Sequence, residues 1–271
     1  MITTQLIIIA LFICMIHSIE TLAYAVRLSG ARVRFLASAF ALFNVLVMVS
    51  RLANMMQQPF TGSLIDLAPK EDSLTYVEDQ FRFIIGAASI GTIIGALLFP
   101  TFIALFSRAI VHLANKRGSM PALLKAVCTR NNIIRSIKHI QMPSLQYLKG
   151  ISLKTVPIKL MLFNILITAI YTIGVLSALY AALLVPERAA TAVMASGLIN
   201  GMATILLILF IDPKISILAD DVLNGRGSYM QLKQTTMFMV ISRLLGTLFA
   251  QVLFIPGAHY IAWFTKFIAS L

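Results

Sequence analysis

Polar side chains interrupt the first apolar segment of the chain at positions that share one face of a helix. An apolar run at residues 6–13 is followed by four polar residues at helical spacing: His17, Glu20, Tyr24 and Arg27. Because each residue of an α-helix advances about 100°, these four side chains fall within an arc of about 80°. A carboxylate and a guanidinium on such a face can pair with each other or bind charged groups, and the carboxylate can also carry a proton.

Similar polar stripes occur in other apolar segments of the chain. They comprise Asn44, Arg51, Asn54 and Gln58; Asn164, Thr168 and Tyr171; Ser196 and Asn200; and Thr236, Arg243, Thr247 and Gln251. An ionised side chain in the middle of a membrane costs about 2.5–3.5 kcal/mol on insertion scales, so a wet cavity or mutual pairing must offset it. We predict a shared polar cavity whose candidate substrate-binding residues are Arg51, Arg243, Glu20, His17, Tyr24, Asn44, Asn54 and Thr247.

Each charged residue also has a purely structural interpretation. Arg27 is expected at the cytoplasmic interface, where a long side chain reaches water. Arg51 either reaches the outer interface in the same way or binds a ligand. Glu20 and Arg243 form either a structural ion pair or part of the cavity, and the hydroxyls and amides on their faces favour the cavity. His17 alone is weak evidence, because a buried histidine is often just hydrogen-bonded within a bundle.

The composition requires a membrane environment for most of the chain. Of 271 residues, 59% are hydrophobic and 12% are charged, whereas a soluble domain carries about twice that share of charge. We predict an all-α polytopic membrane bundle, with a single membrane domain over residues 1–271. About six transmembrane helices are expected, at residues 3–26, 35–55, 83–106, 157–184, 189–211 and 234–254. The tail at residues 255–271 either forms an interfacial helix or extends the last span.

The loops between the predicted spans differ in charge and so predict the orientation. The first loop carries three arginines and no acid, and the second carries five acids against Lys70 and Arg82. Residues 108–159, around the third loop, hold ten Lys and Arg and no Asp or Glu. Because cytoplasmic loops are enriched in Lys and Arg, the first and third loops are predicted to be cytoplasmic and the second external. Both termini are then expected outside.

The basic third loop, at residues 107–156, mixes apolar and basic residues and is broken by Gly118 and Pro121. That pattern predicts short amphipathic helices lying on a leaflet of anionic lipids. The same charges would equally serve as an ordinary determinant of orientation, and the two interpretations are compatible. The net charge of +12 is therefore assigned to anionic membrane lipids as partners, and no nucleic acid is expected.

Small residues spaced four apart, Ala87, Gly91 and Gly95 in the third span and Gly197 and Gly201 in the fifth, predict close helix packing. Motifs of catalysis are missing from the sequence: it has no His-Glu-x-x-His, no Walker loop, no nucleophile elbow and no Cys-x-x-Cys. Asp220-Asp221 before a glycine turn is interpreted as a plain loop. We predict no catalytic residues, no metal, no cofactor and no enzymatic activity.

Two segments carry a family resemblance, HSIETLAYAVRLSGARVR at residues 17–34 and NVLVMVSRLANMMQQPFTGSLID at residues 44–66. In a chain of six spans they resemble the Amj family of bacterial lipid II flippases, described as alternates to the flippase MurJ. The resemblance covers the whole chain. It implies transport of an undecaprenyl-linked peptidoglycan precursor from the cytoplasmic to the outer leaflet of the plasma membrane, in cell wall biogenesis and control of cell shape. No site residue is taken from the family, and the oligomeric state is left open.

Such a substrate suits the polar stripes, because its polyprenyl tail can stay in lipid while its charged head needs a polar route. Alternating access through an arginine-containing cavity would supply that route. Three alternatives remain open from sequence: a transporter of another polyprenyl-phosphate lipid or a small anion, a membrane enzyme acting on such lipids, and an assembly factor that transports nothing. An enzyme should gather acids or histidines at one interface, whereas the polar residues here are spread through the depth of the membrane.

The predicted orientation can be measured by cysteine accessibility in a chain whose two native cysteines have been replaced. A cysteine at Ser73 should react with an impermeant thiol reagent in intact cells, because the second loop is external. A cysteine at Ser136, in the basic loop, should react only after the cells are opened. The reverse pattern would overturn the orientation.

Overall fold

The computed structural model describes residues 3–127, 129, 158–268 and 270, and every regular element within these ranges is helical. The helices are α1 (Thr4–Val33), α2 (Leu36–Asp66), α3 (Ser73–Asn115), α4 (Met120–Val127), α5 (Ile158–Leu184), α6 (Ala189–Leu206), α7 (Asp212–Leu223) and α8 (Tyr229–Ile268). A 3₁₀ turn, Pro186–Arg188, precedes α6, and a π-helical turn, Leu207–Ile211, joins α6 to α7.

Six of these helical segments are long and apolar enough to cross a membrane: α1, α2, α3, α5, the segment Pro186–Leu223, and α8. The predicted all-α polytopic bundle is thereby confirmed. Most of the helices extend beyond their predicted spans, and α8 continues to Ile268, so the tail extends the last span. The orientation of the bundle in the membrane remains a prediction.

The basic loop is only partly described. Its first residues continue α3 as far as Asn115, and the short α4 follows. Residues 128 and 130–157 lie outside the described residues, and with them most of the predicted amphipathic segments.

The chain turns sharply between α1 and α2. Arg34 has φ 63°, a left-handed conformation that ends α1, and its N–H donates to the carbonyl of Gly30. A Cβ at Gly30 would lie 2.4 Å from the Cβ of Ala39, so the turn has no room for a larger residue. This turn makes α2 antiparallel to α1 and places their polar faces at the same depth.

The spanning helices form two groups, which we call the N-terminal half (α1–α3) and the C-terminal half (α5–α8). Within them, α1 packs against α2 and α3, and α5 packs against α6 and α8. The halves meet mainly where α3 and α1 contact α8. Close approach within each half depends on glycine: a Cβ at Gly91 would lie 2.2 Å from the carbonyl oxygen of Cys14, and one at Gly246 would lie 2.7 Å from that of Ile165.

The packing prediction for small residues is confirmed in α3 and wrong in α6. A Cβ at Gly95 would come within 2.8 Å of Thr21 in α1, whereas Gly197 and Gly201 face open space. The reason is that α6 lies at the periphery of the bundle and buries only Ala192 and Ala203. The two glycines fall on the side of α6 opposite Ala192.

The buried apolar residues form separate clusters at the two ends of the bundle. At the end of the bundle that holds the start of α1, Phe81, Phe254 and Ile9 are buried together with residues of α5. At the other end a second cluster contains Leu28 and Ile110. Glu20 of α1 and Arg243 of α8 lie between these two clusters, toward the middle of their helices.

Candidate functional site

A partly open cavity lies between the two halves, with about 630 Å³ of empty space that includes its open side. Residues of α1 and α2 line one side, and residues of α5, α6, α7 and α8 line the other. The polar lining consists of Glu20, Tyr24, Arg51, Thr168, Tyr171, Thr204, Asp212 and Arg243. We call this space the central cavity.

The buried ion pair between Glu20 and Arg243 connects the two halves at the central cavity. Arg243 Nη2 donates to Glu20 Oε2, and the hydroxyl of Ser50 donates to Glu20 Oε1 at 2.7 Å. The side chains of Arg243 and Glu20 are 7% and 15% exposed. Because each charge would be costly alone at this depth, the pairing is what allows both to be there. Within the described part of the chain, Arg243 Nε has no hydrogen-bond partner, so the guanidinium keeps a donor free.

A second polar contact between the halves lies one helical turn further along α1. The Tyr24 hydroxyl donates to Asn164 Oδ1 at 3.1 Å. The amide of Asn164 donates in turn to Ser242 Oγ at 2.7 Å and to the carbonyl of Met239 at 3.0 Å. This network fixes α5 against α8 and orients the phenol of Tyr24 at the wall of the cavity.

The sequence predicted that Arg27 reaches water at the cytoplasmic interface, and this prediction is wrong. It is 3% exposed, and its Nη2 donates to Asp212 Oδ1 at 2.8 Å, while Nη1 donates to the Asp212 carbonyl at 3.2 Å. Its guanidinium also stacks on the ring of Phe43, 4.2 Å from the centroid. The prediction failed because Asp212 follows the π-helical turn after α6, which brings a carboxylate assigned to a loop against α1.

Arg51 differs from Arg243 and Arg27 because it is exposed and has no carboxylate within ion-pair distance among the described residues. It lines the central cavity and also an adjoining groove on the outer side of α2. The charges of Glu20 and Arg243 balance, as do those of Arg27 and Asp212. The uncompensated charge at the cavity is therefore the guanidinium of Arg51.

The other predicted site residues lie outside the central cavity. Asn44 lines the adjoining groove. His17 is buried one turn before Glu20, Asn54 accepts from Gln57 Nε2 at 3.1 Å, and Thr247 accepts from Ser89 Oγ at 3.1 Å between α3 and α8. These residues share a helix face with the cavity residues but lie at other depths, where the helices pack together. Their part in substrate binding remains a prediction.

Four residues that line the cavity were absent from the eight candidates, Thr168, Tyr171, Thr204 and Asp212, and so was Ser50, which donates to Glu20. Thr168 and Tyr171 belong to a polar stripe visible in the sequence. Asp212 had one usable signal, an acid followed by proline at the end of a long apolar run. Ser50 and Thr204 are small hydroxyl residues of a kind common in membrane helices, so composition alone could not single them out.

The acidic pair before the glycine turn forms an exposed turn closed by its own contacts. Arg226 lies 3.5 Å from Asp220 and 3.3 Å from Asp221, and Asn224 donates to Asp220 at 2.9 Å. Among the residues that the structure describes, no group of His, Cys, Asp or Glu is placed to hold a metal ion.

The ion pair between Glu20 and Arg243 should be visible in the thermal stability of the detergent-solubilised protein. Glu20→Gln or Arg243→Gln alone should lower stability by about 3–5 kcal/mol, because each leaves a buried charge unpaired. Combining both substitutions should recover much of that loss. Arg226→Gln is the control, since its exposed pairs contribute about 0–1 kcal/mol. A double variant as unstable as the sum of the single losses would contradict the pairing.

Comparison with known proteins agrees with the resemblance noted at residues 17–34 and 44–66. The model of the family described as Amj, alternate to MurJ, matches residues 12–265. The protein named "Lipid II flippase Amj" from Bacillus subtilis (strain 168) is 58% identical over 265 residues, which cover 98% of each protein. No solved structure matches the chain. The chain therefore belongs to the Amj family and is a multi-pass protein of the bacterial plasma membrane.

Proposed function

We propose that this chain is a lipid II flippase, which moves the undecaprenyl-linked peptidoglycan precursor from the cytoplasmic to the outer leaflet. The name of the relative from Bacillus subtilis supports this substrate. The observation that carries the proposal is the central cavity, which lies between two helical halves and holds an uncompensated arginine near the middle of a spanning helix. A transporter of an anionic lipid head needs a polar site at that depth.

Arg51 is suited to the diphosphate of such a lipid. A guanidinium presents two parallel N–H groups to a phosphate, and these charge-assisted hydrogen bonds are stronger than neutral ones. Arg51 can make these hydrogen bonds because no carboxylate among the described residues forms an ion pair with it. The hydroxyls of Thr168, Tyr171 and Thr204 line the same cavity and can bind the sugars and the peptide of the head.

The ion pair between Glu20 and Arg243 gives the cavity a means of responding to an anion. A phosphate that approaches Arg243 competes with Glu20 for the guanidinium, and the contact between the halves then weakens. Alternating access follows if the halves separate at this point and close behind the head. Glu20 then has one of two roles: it balances Arg243 while the cavity is empty, or it carries a coupling proton.

The proposed role is transport and not catalysis. The charged groups extend along α1 from Glu20 to Arg27, seven residues or about 10 Å of helix. An enzyme acting on a lipid head would gather its groups at one interface, where the scissile bond lies.

The orientation proposed from the loop charges completes this scheme. It places the pair of Arg27 and Asp212 toward the cytoplasm and the packed cluster around Phe81 and Phe254 toward the outside. The central cavity then extends from the middle of the membrane toward the cytoplasmic side, where the precursor is made. We also propose that the basic loop binds anionic lipids of that leaflet, so that the loop anchors this end of the bundle.

Transport can be measured with the purified protein in vesicles that contain a fluorescent lipid II, using an impermeant quencher to report its leaflet. Arg51→Ala should reduce translocation at least about tenfold, which corresponds to losing one good charge-assisted contact. Arg51→Lys should restore it only in part, because an ammonium keeps the charge without the planar fork.

Arg226→Ala is the matched control, because it removes an exposed arginine far from the cavity. Thermal stability should be unchanged in all three variants, since Arg51 is exposed and unpaired in the described structure. Translocation by Arg51→Ala at the rate of the unmodified protein would remove Arg51 from the site. An unmodified protein that moves no lipid II under these conditions would contradict the proposed function.

A further inference from the structure

A second space adjoins the central cavity at the surface of the bundle. It lies between α2 and residues 207–212 and has about 1230 Å³ of empty space, including its open side. We call it the lateral groove. It shares Phe43, Val47, Arg51, Leu207 and Asp212 with the central cavity, so these residues separate two adjoining spaces.

The rest of the lateral groove is almost entirely apolar and faces the membrane. Met48, Leu52 and Met55 of α2 are 63%, 57% and 68% exposed, and Ile208 on the opposite wall is 51% exposed. The groove exists because α2 packs mainly on α1 and leaves its other side uncovered. Unbranched methionine side chains adapt to occupants of irregular shape.

The wall opposite α2 is the π-helical turn Leu207–Ile211, a rare element that is frequent at functional sites. Asp212 ends this wall, and its carboxylate is neutralised by Arg27 at 2.8 Å. The junction between groove and cavity therefore keeps the single positive charge of Arg51. The apolar lateral groove thus ends at the guanidinium of Arg51.

We propose that the lateral groove binds the polyprenyl chain of a lipid diphosphate whose diphosphate group lies at Arg51. This inference rests on the proposed function and specifies how the substrate would enter the central cavity from the side. The tail would remain in contact with the membrane along Met48, Leu52 and Ile208, while the head would lie between the halves.

The depth of Arg51 distinguishes this occupant from an ordinary phospholipid. Arg51 is the sixteenth residue of the 31-residue α2, so about 22 Å of helix separates it from either end. The phosphate of a resident phospholipid lies at the membrane surface, close to the helix ends. A phosphate reaches the depth of Arg51 only when its lipid is between leaflets, as a transported lipid must be.

The groove can be tested by photolabelling the purified full-length protein in vesicles of phosphatidylethanolamine and phosphatidylglycerol. Three probes carry the same diazirine within their apolar chain: undecaprenyl diphosphate, undecaprenol and phosphatidylglycerol. Labelling of Met48, Leu52 and Ile208 is compared by peptide mapping with labelling of Met194, which is 81% exposed and lies outside the groove. Only the diphosphate should prefer the groove, and Arg51→Gln should reduce that preference about tenfold. Equal preference by all three probes would overturn the proposal and leave a surface for surrounding lipid.

A steric variant tests the junction itself. Val47→Trp should fill the passage between groove and cavity and lower both diphosphate labelling and translocation. Val49→Trp is the matched control, because Val49 is on the same helix, is 43% exposed and lines neither space. Thermal stability of both variants shows whether the fold is kept, and the Arg51→Gln arm remains decisive if Val47→Trp is unstable.

The outcomes separate this inference from the proposed function. Translocation by the unmodified protein without preferential labelling of the groove would refute the groove and leave the flippase intact. Preferential labelling by the diphosphate without any translocation would support the groove as a binding site and refute the flippase.

Discussion

A glutamate on α1 and an arginine on α8 pair inside the bundle, and the arrangement of the two halves depends on that contact. Glu20 or Arg243 would each be a costly buried charge if it were alone at mid-helix, so the pair favours a close approach of α1 and α8. Close helix packing within each half positions α1 and α8 for this contact. Gly91 lets α3 lie against α1, and Gly246 lets α5 lie against α8, so each half presents its charged helix to the other.

Contacts between the halves differ in kind at the two ends of the bundle. Around the central cavity they are polar, as in the pairs of Glu20 with Arg243 and of Tyr24 with Asn164. At the other end α3 and α8 pack directly: Arg82 Nη1 donates to the carbonyl of Gln251 at 3.0 Å, and the Gln251 amide donates to the carbonyl of Arg82 at 2.9 Å. The halves are therefore joined by direct helix packing at one end, whereas polar pairs, including Arg27 with Asp212, join them at the central cavity and beside it. Such asymmetry is expected of one state in an alternating-access cycle, since the polar contacts can exchange for contacts with a charged substrate.

Helical periodicity was sufficient to find the centre of the site. Glu20, Tyr24, Arg51 and Arg243 all line the central cavity because a polar residue within an apolar helix must face something other than lipid. Periodicity gives an angle around the helix but not a depth match with neighbouring helices, which is why Asn54 and Thr247 share the faces without reaching the cavity. The burial of Arg27 was not predicted because it depends on the ion pair with Asp212. The position of Asp212 follows from a π-helical turn with no sequence signature. Spacing of Gly197 and Gly201 predicted packing, but only the three-dimensional arrangement places that side of α6 at the periphery.

The central claim is that the halves move relative to each other when the lipid head enters between them. Pulsed spectroscopy of paired spin labels measures this directly, with labels at the exposed residues Glu71 and Glu187 at one end and Lys116 and Ser228 at the other. Each pair joins the N-terminal half to the C-terminal half. On addition of lipid II, the distance between Glu71 and Glu187 should gain a longer population while that between Lys116 and Ser228 gains a shorter one. Unchanged distances at both ends in a protein that still translocates lipid II would contradict the account.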